Sequence, residues 1–440
     1  MNFSNRRSML RASAPAGKIL ILSASFVPRN YPAEIYPFHQ DATFRYFTGL
    51  NIPDAALVID ETGKETLFLT IPDPDDVIWT GKVPTPEELA ASAGIANYDD
   101  YSKLSEVVDR NTLFITPYDW QLKTRLAQWL HVGVSELSSL ASRELGQAII
   151  ALRSIKDDEE IEEIEYAIAV TKEMLALGQK AILPGVKEAD VLAPMMSKVV
   201  QTECDLSFNP IVTVHGEILH NQSYDHVIEK DSTIVIDIGA ESPRGYCADI
   251  TRTYSAAGKF SDRKLFLYNA VLKAQLSGIE KTKSVGVSMF DVHMEACRTL
   301  TRELQSIGLM KGDIEESLAA GAHALFMPHG IGHMLGMDAH DMENYGDDVG
   351  YAPGTKRSTQ FGLNALRLHK KLEPGFVITV EPGCYFIPEL IDRWSAQKHL
   401  DAFICYDELE KYRDFRGIRI EDDVLITPTG SRVLGTAIPK

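Results

Sequence analysis

The chain has 440 residues, enough for two or three domains with a large buried core. Apolar residues make up 45% and charged residues 24%, which is ordinary for a globular protein. The 62 acidic and 44 basic residues give a net charge of −18. This excess of acid argues against nucleic acid or an anionic membrane as a partner, because both are bound through clustered Lys and Arg. No run approaches the roughly 20 apolar residues of a membrane span.

The five cysteines are odd in number and include no C-x-x-C pair. This pattern is typical of a reducing compartment, so we expect a cytoplasmic protein without a disulfide framework or a zinc ribbon. The first residues, Met1–Lys18, contain Arg and Ser but no acid, as some transit peptides do. We interpret them as the first helix of the fold, with organellar import as the alternative.

The first part of the chain alternates strand-like and helical runs. The strand-like runs are Ile19–Leu22, Ala55–Ile59 and Thr66–Thr70, the helical ones are Pro86–Ser92 and Gln121–Leu130, and Ile71–Asp76 reads as a loop. Such alternation predicts an α/β domain. The chain contains neither G-x-x-x-x-G-K nor G-x-G-x-x-G, so nucleotide binding has no support.

The second part begins near Arg153. A helical pattern runs from there to Leu183 and is ended by Pro184, and its first turn is crowded with acids that favour a helix start. Further helices are predicted at Ala189–Thr202, Asp262–Lys281 and Phe290–Gly308, with strands between and after them. This part is predicted to be α+β, an antiparallel sheet flanked by helices.

Two strands joined by a Pro/Gly turn each carry one aspartate, Asp237 and Asp249, within Ile234–Thr253. A carboxylate buried among β-branched residues without a partner is strongly unfavourable. Asp237 must therefore lie at an open strand end, be paired, or hold a cation.

Three more candidates follow: His333 in His-Gly-Ile-Gly-His, Glu381 before Pro-Gly, and Glu421 in Gly-Ile-Arg-Ile-Glu. Each is weak alone. His329 and His333 are four residues apart, but no Glu follows the first, so the H-E-x-x-H zinc protease motif is absent. Taken together, four acids and one histidine near strand ends predict a two-metal site for hard or borderline ions such as Mn²⁺, Co²⁺ or Zn²⁺.

The sequence motifs around these residues resemble those of the metallopeptidases of the pita-bread fold. The matching stretches are Asp-Ile-Gly-Ala-Glu, Ala-Asp-Ile-Thr-Arg-Thr, Pro-His-Gly-Ile-Gly-His, Thr-Val-Glu-Pro-Gly-Cys-Tyr and Gly-Ile-Arg-Ile-Glu-Asp-Asp. Aminopeptidase P and prolidase are the most similar members. The resemblance extends to Tyr36–Leu50 and implies an aminopeptidase P-like α/β domain over residues 1–152 and a pita-bread catalytic domain over 153–440.

The resemblance also implies a role for each residue. Asp237 would bind one metal ion through both oxygens, Asp249 and Glu421 would bridge two ions, and His333 with Glu381 would hold the second. A hydroxide between the ions, Mn²⁺ by preference, would be the nucleophile. Glu381 would also relay a proton, and the residues expected near the substrate are His220, His329, His340 as oxyanion donor, Arg419 to orient Glu421 or the substrate, and Tyr385 in the proline pocket.

The resemblance implies a metal-dependent exopeptidase that releases the first residue of peptides with proline second, assembled as a homodimer or homotetramer. The segment from Phe386 to Gly417 is more like prolidase, so Xaa-Pro dipeptidase activity is the alternative. A non-catalytic binding module of the same fold is a further one, although such modules lose ligand positions and this chain keeps all five.

Overall fold

The structure is a computed structural model that describes all residues from Met1 to Lys440. The chain divides into two compact units, Met1–Arg153 and Ser154–Lys440. No helix combines the length and the apolar character needed to cross a bilayer.

The first unit contains one four-stranded sheet with short helices around it. Its helices are α1 Phe3–Ser13, α2 Ala42–Thr48, α3 Val77–Thr80, α4 Pro86–Ser92, α5 Leu104–Val107, α6 Trp120–Leu130, α7 Leu137–Leu140 and α8 Arg143–Ser154. Its strands are β1 Ile19–Leu22, β2 Ala55–Ile59, β3 Glu65–Leu69 and β4 Asn97–Asp100, in the order β1-β2-β3-β4 with only β3 and β4 parallel. Buried apolar residues such as Leu57 and Phe68 fill the core, as expected for an α/β domain.

Two predictions for this unit are corrected. The first helix is shorter than expected, because it begins after the Asn2 cap and ends at Ser13. The predicted loop Ile71–Asp76 contains a 3₁₀ turn, Pro74–Asp76, which leads into α3. Asp73 caps this turn by accepting a hydrogen bond from the N–H of Asp75, and Pro at the first position of the turn stabilises it.

The second unit consists of small antiparallel sheets and long helices. Its helices are α9 Asp158–Ala181, α10 Glu188–Gln201, α11 Asp262–Thr282, α12 Met289–Ser306, α13 Ile314–Ala320, α14 Pro388–Ala396 and α15 Tyr406–Leu409. Its strands are β5 Asp205–Leu206, β6 Ile211–Thr213, β7 Thr233–Ile238, β8 Ala240–Glu241, β9 Ile250–Ser255, β10 Val377–Val380, β11 Gly383–Tyr385, β12 Gly417–Arg419, β13 Asp422–Thr427 and β14 Gly430–Val433.

The helix expected from Arg153 to Leu183 begins later, at Asp158, because Arg153 and Ser154 are the last residues of α8. Asp157 accepts a hydrogen bond from the N–H of Glu160, and the Glu160 carboxylate accepts one from the N–H of Asp157. This reciprocal cap starts a new helix, α9, whose acidic first turn faces the positive end of the helix dipole.

The strands form four small sheets rather than the single sheet that we predicted. They are ordered β6-β7-β9, β10-β13-β14, β11-β12 and β5-β8. Gly239 separates β7 from β8, and Pro382, which has no N–H for a sheet ladder, separates β10 from β11. Asp237 is the next-to-last residue of β7 and Glu381 directly follows β10, so both carboxylates lie close to the end of a strand.

Candidate metal centre

Strands β7 and β9 bring Asp237 and Asp249 together. Asp237 is paired with Thr251 in the register of the two strands, and Asp249 immediately precedes β9. The backbones approach closely at Gly239, where a Cβ atom would lie 1.7 Å from the carbonyl oxygen of Ala248. Only glycine fits this contact, so it sets the approach of the two chain segments that carry the aspartates.

His333 is fixed with one nitrogen directed at the acids. Its backbone N–H donates to Thr379 Oγ1, and its ring Nδ1 donates to the carbonyl oxygen of Met334 at 2.9 Å. Nε2 is therefore the nitrogen with a free lone pair, and it lies 3.5 Å from Asp249 Oδ2 and 3.6 Å from Glu381 Oε1. Metal-binding histidines are commonly oriented by such an Nδ1–H to carbonyl hydrogen bond.

Glu421 lies between β12 and β13 and completes the cluster. Its N–H donates to the carbonyl oxygen of Thr251, and one carboxylate oxygen accepts from Thr251 Oγ1 at 2.7 Å. The ligand atoms of Asp249, His333 and Glu421 all lie within 4.8 Å of one another, and the three side chains are buried. Glu381 lies beside His333 and the charge of Asp237 acts on Asp249, so the structure brings together the five predicted ligands.

Four carboxylates in one buried space repel each other. Burial first, and then the charge of Asp237, raise the pKa of Asp249 well above its usual range. Burial and the charge of Asp249 do the same for the pKa of Glu421, and burial raises the pKa of Glu381 to about 7 although His333 and Arg419 oppose it. The cluster therefore favours a partner that carries positive charge.

The donor set fits two divalent cations. Asp237 Oδ1 is buried and receives no hydrogen bond, while its Oδ2 accepts from Arg419. Four carboxylates carry the charge that offsets two divalent ions, and oxygen donors with one imidazole suit hard or borderline metals. Asp237, Asp249, His333, Glu381 and Glu421 are the side chains that could hold these ions.

Arg419 links the cluster to its surroundings. It is buried, and its guanidinium donates to Asp237 Oδ2 at 2.6 Å, to Thr251 Oγ1 at 3.2 Å and to the Tyr385 hydroxyl at 3.2 Å. This arrangement fixes the orientation of Asp237 through a charge-assisted hydrogen bond.

Tyr385 and His329 form a pair beside Arg419. His329 Nδ1 donates to the carbonyl oxygen of Gly330 at 2.8 Å, so Nε2 accepts from the Tyr385 hydroxyl at 2.9 Å. Burial, and then the charge of Arg419, lower the pKa of His329 to about 4, so the ring is neutral at pH 7. Tyr385 has no exposed surface, and its hydroxyl is engaged by both neighbours.

His340 and His220 lie close by on loops. The His340 ring centroid is 4.2 Å from that of His333, and its Nδ1 is 3.6 Å from Glu343 Oε2. Burial and the nearby His333 lower the pKa of His340, although Glu343 raises it. Burial, and then the charges of Arg419 and Arg367, lower the pKa of His220. Both histidines are exposed, whereas His333 is buried.

Sequence reasoning missed three supporting residues. Thr251 Oγ1 donates a hydrogen bond to Glu421 and accepts one from Arg419. Asp423 Oδ2 accepts a hydrogen bond from the N–H of Asp249 at 3.1 Å. Arg367 pairs with Glu343 beside His340. Thr251 and Asp423 lie within the sequence stretches that carry the predicted ligands, so their positions were a usable signal, but nothing in the sequence indicated Arg367.

Known families match nearly the whole chain. Residues 162–428 match the model of metallopeptidase family M24, and residues 3–113 match that of the aminopeptidase P N-terminal domain. The fold and the cluster of acids around His333 are those of a metallopeptidase, and the chain belongs to metallopeptidase family M24.

Relatives carry two related names. A protein of Talaromyces marneffei named "Probable Xaa-Pro aminopeptidase pepP" is 32% identical, with 91% of this chain and 86% of the relative covered. The Xaa-Pro dipeptidase of Homo sapiens is 29% identical, with 97% of this chain and 87% of the relative covered.

Solved structures give the same fold. Aminopeptidase P of E. coli with the inhibitor Pro-Leu superposes with a TM-score of 0.80 at 27% identity, covering 100% of this chain and 95% of that one. Proline aminopeptidase P II from Yersinia pestis gives 0.79 at 27% identity, covering 100% and 96%. The predicted pita-bread fold with an aminopeptidase P-like amino-terminal domain is confirmed.

Proposed function

We propose that this chain is a Xaa-Pro aminopeptidase, a metal-dependent exopeptidase that releases the amino-terminal residue from peptides with proline in second position. The observation that carries the proposal is the buried cluster of Asp237, Asp249, His333, Glu381 and Glu421, with His333 Nε2 turned toward the acids. Its family membership and its Xaa-Pro aminopeptidase relatives support the same activity.

The five side chains are proposed as ligands for two divalent ions, most suitably Mn²⁺, with Co²⁺ or Zn²⁺ as alternatives. Oxygen-rich donors with one imidazole support this choice of ion. A solved neighbour is described as zinc-substituted E. coli aminopeptidase P in complex with product. Bound divalent ions lower the pKa of water toward neutrality and polarise a carbonyl oxygen, which is the chemistry needed to cleave an amide.

The remaining residues bind and orient the peptide. Glu381 stands beside His333 and is proposed to move the proton from water to the leaving amine. His340 is proposed to donate a hydrogen bond to the developing oxyanion. His220 and His329 are proposed to contact the substrate backbone, and Arg419 to keep Asp237 in place.

For Tyr385 the structure favours a positioning role over a wall of the proline pocket. The side chain has no exposed surface, and its hydroxyl lies between His329 and Arg419. We therefore propose that it orients the His329 ring.

The choice of bond has a physical basis. An Xaa-Pro amide has no N–H, so a protease that grips an extended backbone through that donor cannot hold it. A site that holds the peptide through metal ions and imidazoles does not need the missing donor.

The test is cleavage by the Mn²⁺-loaded protein, followed by mass spectrometry of the products. Xaa-Pro-Yaa tripeptides should give free Xaa and Pro-Yaa, while an Xaa-Ala-Yaa control should be cleaved far more slowly. No cleavage of any Xaa-Pro substrate after metal loading would favour a binding module and contradict the proposal.

Xaa-Pro dipeptidase activity is the second candidate. The human Xaa-Pro dipeptidase is similar over 97% of this chain, which supports it. Turnover of Xaa-Pro dipeptides without turnover of tripeptides would favour this activity.

Assembly and location are further parts of the proposal. Exposed apolar side chains in the first unit, including Ile78 at 71% and Trp79 at 84% exposed, support a homodimer or homotetramer. Light scattering coupled to gel filtration distinguishes these states from a monomer. Five free cysteines support a reducing location such as the cytoplasm.

A further inference from the structure

A second cluster of metal-binding side chains lies outside the proposed metal centre. We call it the thiol pocket, and it consists of His293, Cys297 and His323. His293 and Cys297 are four residues apart on α12 and so share one face, and His323 lies in the 3₁₀ turn Ala322–Leu325. The ligand atoms of the three side chains lie within 4.8 Å of one another.

The pocket is buried, and three of its four ring nitrogens lack a protein partner. None of the three residues is more than 1% exposed. Neither ring nitrogen of His323 has a hydrogen-bond partner, and His293 Nδ1 has none. Buried polar atoms in native proteins are nearly always partnered, so this cluster needs a specific explanation.

The spacing of the ligands fits one bound ion. Cys297 Sγ is 3.4 Å from His293 Nε2. Two ligands at the usual metal–sulfur and metal–nitrogen distances, with a tetrahedral angle between them, lie about 3.6 Å apart. A thiol–imidazole hydrogen bond could explain this one contact, but it leaves His323 unexplained.

The charge of the surroundings favours a monovalent ion. Burial lowers the pKa of His293 well below its usual range and that of His323 to about 4, so both rings are neutral and offer lone pairs. No carboxylate belongs to the cluster, and Glu295, which lies between His293 and Cys297 in the sequence of α12, is paired with Arg298. One thiolate with a monovalent ion is neutral, whereas a divalent ion would leave a net buried charge.

We propose that the thiol pocket is a binding site for one copper(I) ion, ligated by the Cys297 thiolate and one nitrogen each of His293 and His323. Copper(I) is the soft ion that thiolate ligands select, and it accepts three ligands. Binding replaces the thiol proton, which is released to solvent without any change in the oxidation state of copper or sulfur. The proposed metal centre contains no thiol, so the two sites would select different ions.

The test uses the full chain loaded with Mn²⁺ and then given one equivalent of copper(I) without oxygen. X-ray absorption at the copper edge should show one sulfur and two nitrogen neighbours. In competition with a coloured copper(I) chelator, Cys297→Ala and His323→Gln should each weaken binding by more than about 100-fold. Copper(I) should also raise the melting temperature of the parent chain and not that of either variant.

Cys204→Ala is the matched control, because Cys204 is also buried but belongs to no such cluster. This variant should bind copper(I) like the parent chain. Circular dichroism and Mn²⁺-dependent peptidase activity show whether each variant is folded, and the two variants remove different ligands, so loss of one fold leaves the other test intact. Copper(I) with only nitrogen and oxygen neighbours, unchanged binding in folded Cys297→Ala or His323→Gln, or zinc binding without copper(I) binding would overturn the proposal.

Discussion

The metal centre and the thiol pocket are both buried clusters in residues 154–440, but they are built differently. In the metal centre, Arg419 holds Asp237, Thr251 holds Glu421 and the Met334 carbonyl oxygen holds His333. In the thiol pocket, no hydrogen bond holds either ring nitrogen of His323. Supporting hydrogen bonds fix ligand geometry before an ion arrives, so we expect the first site to serve catalysis and the second to serve binding alone.

Removing a bridging charge should have the largest effect on activity. Asp249→Asn keeps the side-chain shape but removes a carboxylate from the centre of the cluster. We expect kcat/KM to fall about a thousand-fold or more, because bound metal supplies several kcal/mol of transition-state stabilisation. Steady-state cleavage of an Xaa-Pro-Yaa peptide measures this loss. Asp401→Asn, at an exposed position, is the control and should behave as the parent chain does.

Metal removal should change stability in a way that depends on pH. The pKa values of Asp249 and Glu421 are raised in the folded chain, and burial raises that of Glu381 to about 7. A carboxyl group whose pKa is raised in the folded state does not change stability below its unfolded-state pKa of about 4. It lowers stability as the pH rises from there to its folded-state pKa. The metal-free chain should therefore lose stability as the pH rises from about 4 to about 7.

Mn²⁺ should restore that stability at neutral pH. At a free concentration about a hundred times Kd, binding to the folded state adds about 2.7 kcal/mol. Thermal unfolding with chelator and with Mn²⁺, repeated across the pH range, measures both effects. Equal melting temperatures with and without Mn²⁺ at neutral pH would show that no ion occupies the cluster.

Removing the Thr251 hydroxyl, which supports the proposed ligands, should have a smaller effect than removing a ligand. Thr251→Val keeps the shape but removes the donor to Glu421 and the acceptor for Arg419. We expect Mn²⁺ affinity to fall about 10-fold to 100-fold, measured by calorimetry. Thr233→Val is the matched control in β7, because the buried Thr233 hydroxyl has no partner to lose. If both variants bind Mn²⁺ equally, Thr251 does not support the ligands.

The smallest effect is expected at Tyr385. Tyr385→Phe removes the hydroxyl between His329 and Arg419 while keeping the buried ring. The substitution breaks both hydrogen bonds, but only the one to His329 orients a ring that is proposed to contact the substrate. Loss of one buried hydrogen bond costs about 1 kcal/mol, so we expect kcat/KM to fall about 5-fold to 10-fold. Tyr351→Phe is the control, because that hydroxyl donates to the carbonyl oxygen of Leu366, outside the metal centre. A loss confined to KM would instead indicate direct contact with the substrate.

The sequence predicted much of this molecule because its signals are local. Short strand-like apolar runs predicted β1 and β2, and β-branched residues around Asp237 predicted β7. The sequence motifs around the five candidate ligands predicted that they lie close together. The structure brings the five side chains together, while their role as ligands stays a prediction. The split of the sheet was missed, because whether Gly239 and Pro382 bend a strand or end it depends on tertiary contacts.

Other features depend on residues that are distant in the chain. Arg367 reaches Glu343 beside His340 only because a long loop returns to that place. The thiol pocket joins α12 to a separate 3₁₀ turn. Cys297 and His323 share no sequence motif, so only the fold brings them together.

Anomalous X-ray scattering from crystals of the Mn²⁺-loaded chain, recorded at the manganese edge, would locate the ions relative to the five side chains. We expect two peaks among Asp237, Asp249, His333, Glu381 and Glu421, with Asp249 and Glu421 in contact with both. An absence of peaks at this cluster, or manganese bound only elsewhere on the chain, would contradict the proposed metal centre.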